Sequence, residues 1–137
     1  MSFVLDNSIA MAWCFDDEVT PLTEKLLNDV KNSGAIVPEL WPMEATNVLL
    51  IAERKKRIVS LKRRELINFL QMLPISIDRM THEVAWADIS DLAAEHRLTI
   101  YDAAYLELAL RRELPLATLG HDLRRAAKKE KVQLLGK

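Results

Sequence analysis

Phe3-Val4-Leu5-Asp6-Asn7-Ser8 is the stretch that decides how this chain folds. Three apolar residues run without a break into an acid. Strict alternation would mark a strand with one wet face. An unbroken run suits a strand buried on both faces, as in a parallel sheet. Asp6 then stands at the strand's C-terminal end, the edge at which open α/β sheets bind ligands. Asp6 can equally do no more than start a turn, because Asn7-Ser8 can end a strand or cap a helix.

Working outward, strand and helix patterns alternate. Residues 9–15 read as a short helix that Asp16-Asp17-Glu18 breaks. Leu22, Leu26, Leu27 and Val30 recur at helical spacing, so residues 21–31 form an amphipathic helix ended by Gly34. Ala35-Ile36-Val37 is a second strand, stopped by Pro38. A long helix covers residues 40–57, another starts near Lys62, and Ile75-Ser76-Ile77 is a third strand. Thr81 opens a helix that runs to about Glu95. Asp102 precedes an Ala-, Tyr- and Leu-rich helix reaching Arg112, for which it is a good N-cap. Pro115–Thr118 is a fourth strand, residues 122–131 are a basic helix, and residues 132–135 are an edge strand. This order predicts one three-layer α/β/α domain over residues 1–137, built on a short, mainly parallel sheet. Right-handed crossovers place the ends of the first and fourth strands on one rim.

Composition bounds the function. Half the residues are hydrophobic, so the chain can build a core. No apolar run approaches a membrane span, and no signal pattern opens the chain. Cys14 is alone, so no internal disulfide can form, and a cytoplasmic setting is expected. The net charge of −1 does not announce a nucleic-acid binder. The charges are grouped, however. Arg54, Lys55, Lys56, Arg57, Lys62, Arg63 and Arg64 form one basic group, and Arg124, Arg125, Lys128, Lys129 and Lys131 another. Such groups can guide a phosphate backbone or simply keep a face solvated.

Three acids carry the chemistry. Leu40, Glu44, Val48 and Ile51 step by four, four and three, so Glu44 projects from an apolar stripe with Asn47 one turn along. A carboxylate in that setting wants a cation, a donor cluster or a route to water. Pairing with an Arg at the edge of the stripe would also serve. The topology allows Asp6, Glu44 and Asp102 on one rim, where unpaired carboxylates would repel each other. A divalent cation removes the conflict, and all-oxygen ligands suit Mg²⁺ or Mn²⁺. His82, His96, His121 and Cys14 show no zinc-ligand spacing. With three glycines there is no phosphate loop, and no Gly-x-Ser-x-Gly elbow exists. A carboxylate-held metal beside basic helices points to phosphodiester hydrolysis.

These segments resemble the PIN-domain family, and within it the VapC-type toxins of toxin–antitoxin pairs. The resemblance rests on Val4-Leu5-Asp6-Asn7-Ser8, Glu44-Ala45-Thr46-Asn47, Tyr101-Asp102-Ala103-Ala104-Tyr105 and Leu116-Ala117-Thr118-Leu119, in that order along nearly the whole chain. It implies a Mg²⁺- or Mn²⁺-dependent endoribonuclease, usually dimeric, silenced by a cognate antitoxin. It also implies metal carboxylates at Asp6, Glu44 and Asp102, with Ser8, Asn47 and Thr118 supporting them. RNA would be guided by Arg54, Lys55, Arg57 and Arg124. The family usually carries a fourth acid two residues after the Thr that matches Thr118. Gly120 stands there, and Asp122 either reaches the site or caps the last helix. A surplus of Met11, Trp13, Phe15, Trp41 and Met43 on short helices fits a homodimer. The alternatives are a non-toxin RNA-processing nuclease of the same fold, a receiver-like domain, or a binding module that has lost catalysis.

Overall fold

The computed structural model describes residues 2–136. Strand β1 (Val4–Leu5) leads through α1 (Asn7–Cys14), a 3-10 turn at Asp16–Glu18 and α2 (Pro21–Ser33) to β2 (Ala35–Pro38). Helices α3 (Trp41–Arg54) and α4 (Ser60–Met72) precede β3 (Ile75–Asp78). Then come α5 (Thr81–Val84), a π-helical turn at Ala85–Ile89, α6 (Ser90–His96), α7 (Ile100–Arg112), β4 (Leu116–Ala117), α8 (His121–Lys129) and β5 (Leu134–Leu135). The sheet order is β3-β2-β1-β4-β5 and every pairing is parallel. Helix α7 lies against β1, β2 and β4, with α6 and α8 packed on it. Helix α1 packs on α2 and α3, and α3 on α4. The arrangement is a three-layer α/β/α sandwich.

The unbroken apolar run of the first strand has the cause expected of it. Phe3, Val4 and Leu5 are all buried, because β1 is the central strand and helices cover both faces. The chain steps from β1 through β2 to β3 on one side, and β4 and β5 lie on the other. The topological switch point is therefore the crevice between β1 and β4. Asp6 and Thr118 are the residues that immediately follow those two strands.

Several boundaries differ from the sequence expectations. Helix α7 begins at Ile100, because Thr99 is the N-cap and its hydroxyl accepts the Asp102 N–H at 3.0 Å. Asp102 is thus in the first turn and is not the cap. The stripe read as the inner face of α3 is not the buried one. Trp41, Ala45, Leu49 and Ala52 are inside, while Val48 and Ile51 are exposed. The two stripes are one residue apart on the helix, and periodicity alone ranks them equally. The helix expected over residues 81–95 contains the π turn, which inserts an extra residue into the helical register. Ile89 stays buried there while Trp86 is 90% exposed.

Candidate metal centre

Asp6 ends β1 and caps α1, accepting the Ser8 N–H at 3.3 Å. Its Oδ2 also accepts the Ser8 hydroxyl at 2.5 Å and the Thr118 hydroxyl at 2.8 Å. Each hydroxyl accepts a backbone N–H in turn: Leu119 N–H onto Ser8 Oγ at 2.9 Å, and Gly120 N–H onto Thr118 Oγ1 at 2.9 Å. A hydroxyl has a single proton. Both protons are therefore committed to one carboxylate oxygen, and the loop after β4 holds the hydroxyls in that orientation. Among the described residues, Oδ1 takes no side-chain hydrogen bond.

Glu44 lies in the first turn of α3, half-buried, and its Oε1 accepts the Tyr105 hydroxyl at 2.5 Å. Asp102 lies in the first turn of α7, also half-buried. All three carboxyls titrate above their ordinary range. Burial is the main cause each time, and mutual repulsion adds to it for Glu44 and Asp102. Glu44 feels both Asp6 and Asp102, and Asp102 feels Asp6, so the three share one electrostatic neighbourhood. Burial and the same three charges push the Tyr105 phenol well above its usual value, so it remains a neutral donor to Glu44.

Asp78 shows the contrast. It also ends a strand and is buried, but Arg111 and Arg112 donate to it at 2.7 and 3.2 Å and hold its carboxyl below the ordinary range. Protein cations neutralise Asp78. No such partner reaches Asp6, Glu44 or Asp102 among the described residues. Three oxygen donors of raised pKa, without a protein cation, fit a hard divalent ion such as Mg²⁺ or Mn²⁺.

The remaining expected residues fall in different places. Ser8 and Thr118 touch Asp6 directly. Asn47 is exposed and makes no hydrogen bond to Glu44; the link to Glu44 comes instead from Tyr105. That role was not assigned from the sequence. Its signal was a polar-tipped aromatic three residues after Asp102, on the same face of an otherwise apolar helix. Gly120 is the N-cap position of α8, with ordinary backbone angles. A Cβ there would stand 3.3 Å from Thr118 Oγ1, against the Asp6 network. Asp122 does not cap α8. It is a first-turn residue paired with Arg125 at 2.8 Å, and its charge still reaches Asp102.

Of the cations, Arg54, Lys55 and Arg57 are exposed but lie at the far end of α3, about 15 Å from Glu44 along the helix axis. Arg57 is engaged by Asp17 and Glu18 and stacks on Phe15. Arg124 is also committed, donating to the Thr118 carbonyl at 2.9 Å and the Leu135 carbonyl at 3.3 Å. An open cleft along α8 is lined by Leu119, His121, Arg124, Arg125, Lys128 and Lys129, facing Pro21 and Leu22, with Lys128 about 12 Å along the helix axis from Gly120. Of the five residues read as surplus, Met11, Phe15 and Trp41 are buried, and Trp13 is half-buried. Met43, next to Glu44, is 78% exposed.

A family model described as PIN domain matches residues 3–129. No curated protein matches the chain. Among solved structures, PAE2754 from Pyrobaculum aerophilum superposes with a TM-score of 0.71 at 22% identity, covering 98% of this chain and 83% of that one. VapBC2 from Rickettsia felis, solved bound to a DNA fragment from their promoter, superposes with a TM-score of 0.67 at 11% identity. That match covers 98% of this chain and 97% of the other.

Proposed function

Because this chain belongs to the PIN domain family, we propose that it is a divalent-metal-dependent endoribonuclease, a single nuclease domain acting as the cytoplasmic toxin of a toxin–antitoxin pair. The observation that carries this reading is the cluster of Asp6, Glu44 and Asp102, each titrating high and none neutralised by a protein cation. A bound Mg²⁺ or Mn²⁺ supplies Lewis-acid activation of water and neutralises charge on the scissile phosphate. The chain's own residues do the positioning. Ser8 and Thr118 hold Asp6 through Oδ2, which leaves Oδ1 without a side-chain hydrogen bond among the described residues. Tyr105 does the same for Glu44. Asp102 rides on the first turn of α7, where the helix dipole favours its ionised form. Basic side chains of the cleft that runs along α8, from Arg124 to Lys129, draw in the RNA backbone.

The toxin assignment draws on the likeness in fold to the Rickettsia felis complex, and it brings two partners. One is a cognate antitoxin. The other is a second copy of the chain, for which exposed Met43, Val48 and Ile51 on α3 offer an apolar face. Gly120, in place of the fourth acid, favours one alternative specifically: a module that binds RNA but cleaves it weakly.

The test is cleavage of an RNA pool in Mn²⁺ or Mg²⁺, with EDTA as control and light scattering alongside. Cleavage that requires metal, falls at least ~100-fold in Asp6→Asn, and falls far less in Asp122→Asn supports the nuclease. RNA binding without metal-dependent cleavage supports the binding module. A monomer at tens of micromolar removes the dimer.

A further inference from the structure

Two aromatic rings stay outside the core. Phe3, Phe15, Trp41 and Tyr105 are buried, and Trp13 and Phe69 are half-buried, whereas Trp86 is 90% exposed and Tyr101 62%. Both exposed rings belong to elements that meet at the start of α7. Tyr101 is in the first turn of α7, the residue before Asp102. Trp86 is on the π turn, which packs on α7. Ala85 and Ile89 of that turn join Ala103 and Ala104 of α7, and Leu40 just ahead of α3, in a small core of their own. The turn is thereby fixed against the starts of the two helices that carry Glu44 and Asp102.

Resting on the nuclease reading above, we propose that Tyr101 and Trp86 form a base-stacking platform, Tyr101 for the base beside the scissile phosphate and Trp86 for a base further along the strand. Tyr101 and Tyr105 are four residues apart, on one face of α7. Tyr105 is the inner ring and donates to Glu44. Tyr101 therefore stands one turn nearer the helix start, over the mouth of the acid cluster. Helical side chains lean toward the N-terminus, which carries the Tyr101 ring further outward. Asp6 is only 6% exposed, and Glu44 and Asp102 are half-buried. A phosphate reaches acids so recessed when the strand bends inward, and that bend splays the neighbouring bases. A splayed base has bare π faces, and an aromatic ring covers one of them whatever the base.

Leu119 is also exposed and donates its N–H to Ser8 beside Asp6, so the mouth is apolar on that side as well. A paired duplex keeps its bases stacked on each other and offers such a surface only ribose and phosphate. A protein seated on both rings would cover the acids that the substrate must reach. The open rings fit a single strand that passes over the metal, with the basic cleft along α8 left for its backbone.

The experiment compares wild type, Tyr101→Ala, Tyr101→Phe and Trp86→Ala by fluorescence anisotropy in Ca²⁺, an ion that takes oxygen ligands. The probes are a short labelled unpaired RNA and an abasic strand of the same length. On the RNA, Tyr101→Ala and Trp86→Ala should each weaken binding about 5- to 150-fold, the usual effect of one stacked base, and Tyr101→Phe should restore it. On the abasic strand, wild type should lose affinity and the variants should no longer differ from it. Both rings are exposed, so their removal leaves the core and the melting temperature unchanged. Equal RNA affinity in wild type and Tyr101→Ala overturns the platform, as does a wild type that binds no RNA. An alanine effect that persists on the abasic strand overturns it too. So does light scattering in which either alanine variant dissociates a dimer while RNA affinity is intact, which assigns the rings to a protein interface. Cleavage of the same RNA in Mn²⁺, run alongside, tests the nuclease reading by itself. Base-dependent binding without cleavage keeps the platform and removes the nuclease; cleavage with binding unchanged in Tyr101→Ala does the reverse.

Discussion

Two carboxylates near one rim are prepared in different ways. Asp6 is held by two hydroxyls whose protons have no other use, and Glu44 by one phenol. Tyr105→Phe removes that phenol and leaves the packing of a fully buried ring intact. Hydrogen bonds to charged groups are worth about 1.5–3 kcal/mol, so Mn²⁺ affinity should fall roughly tenfold or more by calorimetry while the fold survives. Asp6 also makes a pH prediction. Its folded pKa is raised by burial, so its contribution to stability is fully present below the unfolded value of 3.8 and is lost as pH rises through the folded value. As pH rises above 3.8 the metal-free protein therefore carries a growing penalty for burying this acid. Asp6→Asn should melt higher in EDTA at pH 7, by about 1 kcal/mol or roughly 3–5 °C. The gain should shrink as pH drops toward the unfolded value of 3.8, where the raised folded pKa no longer separates variant from wild type. Equal gains at both pH values would show that charge is not the cause.

At the scale of the element, helix starts do the positioning. Asp6 caps α1, Glu44 is in the first turn of α3, and Asp102 is in the first turn of α7. These helix starts bring the acids of three distant segments close enough to feel one another's charge, although their carboxylate oxygens do not all lie within 4.8 Å. The placement of Asp102 depends on Thr99, whose hydroxyl holds the Asp102 N–H at 3.0 Å. Thr99→Ala should cost about 1 kcal/mol of stability, and Thr99→Ser should restore it. If the cap also sets the carboxylate's position, Mn²⁺ affinity should fall in Thr99→Ala and return in Thr99→Ser. An affinity unchanged in Thr99→Ala would confine Thr99 to helix stability.

For the whole molecule, charge placement separates the two basic groups. Arg54–Arg57 lie at the far end of α3, and Arg57 is engaged by Asp17, Glu18 and Phe15. Lys128 and Lys129 stand at the far end of α8, but they line a cleft that runs back along the helix to Leu119. Charge reversal at Lys128 and Lys129 should weaken RNA binding. It should also flatten the salt dependence by about one log–log unit for each phosphate the variant no longer neutralises. Reversal at Arg54 and Lys55 should change little. The opposite pattern would place the RNA path across the far end of α3.

The sequence by itself determined the layer order and the doubly buried first strand, and it singled out the three acids. A buried parallel strand shows as an unbroken apolar run, and a carboxylate among apolar neighbours shows as an anomaly. Both signals are local, and the match of residues 3–129 to the PIN domain model agrees with them. Only the tertiary structure decided which face of α3 turns inward, because Leu40-Val48-Ile51 and Trp41-Leu49-Ala52 have the same period and differ by one residue of rotation. It alone showed that Tyr105, and not Asn47, reaches Glu44, and that Arg57 and Arg124 are committed to partners inside the chain. It alone brought His96 to Glu130, which lies 34 residues further along. Periodicity describes a helix about its own axis, whereas a contact depends on how two helices are set against each other.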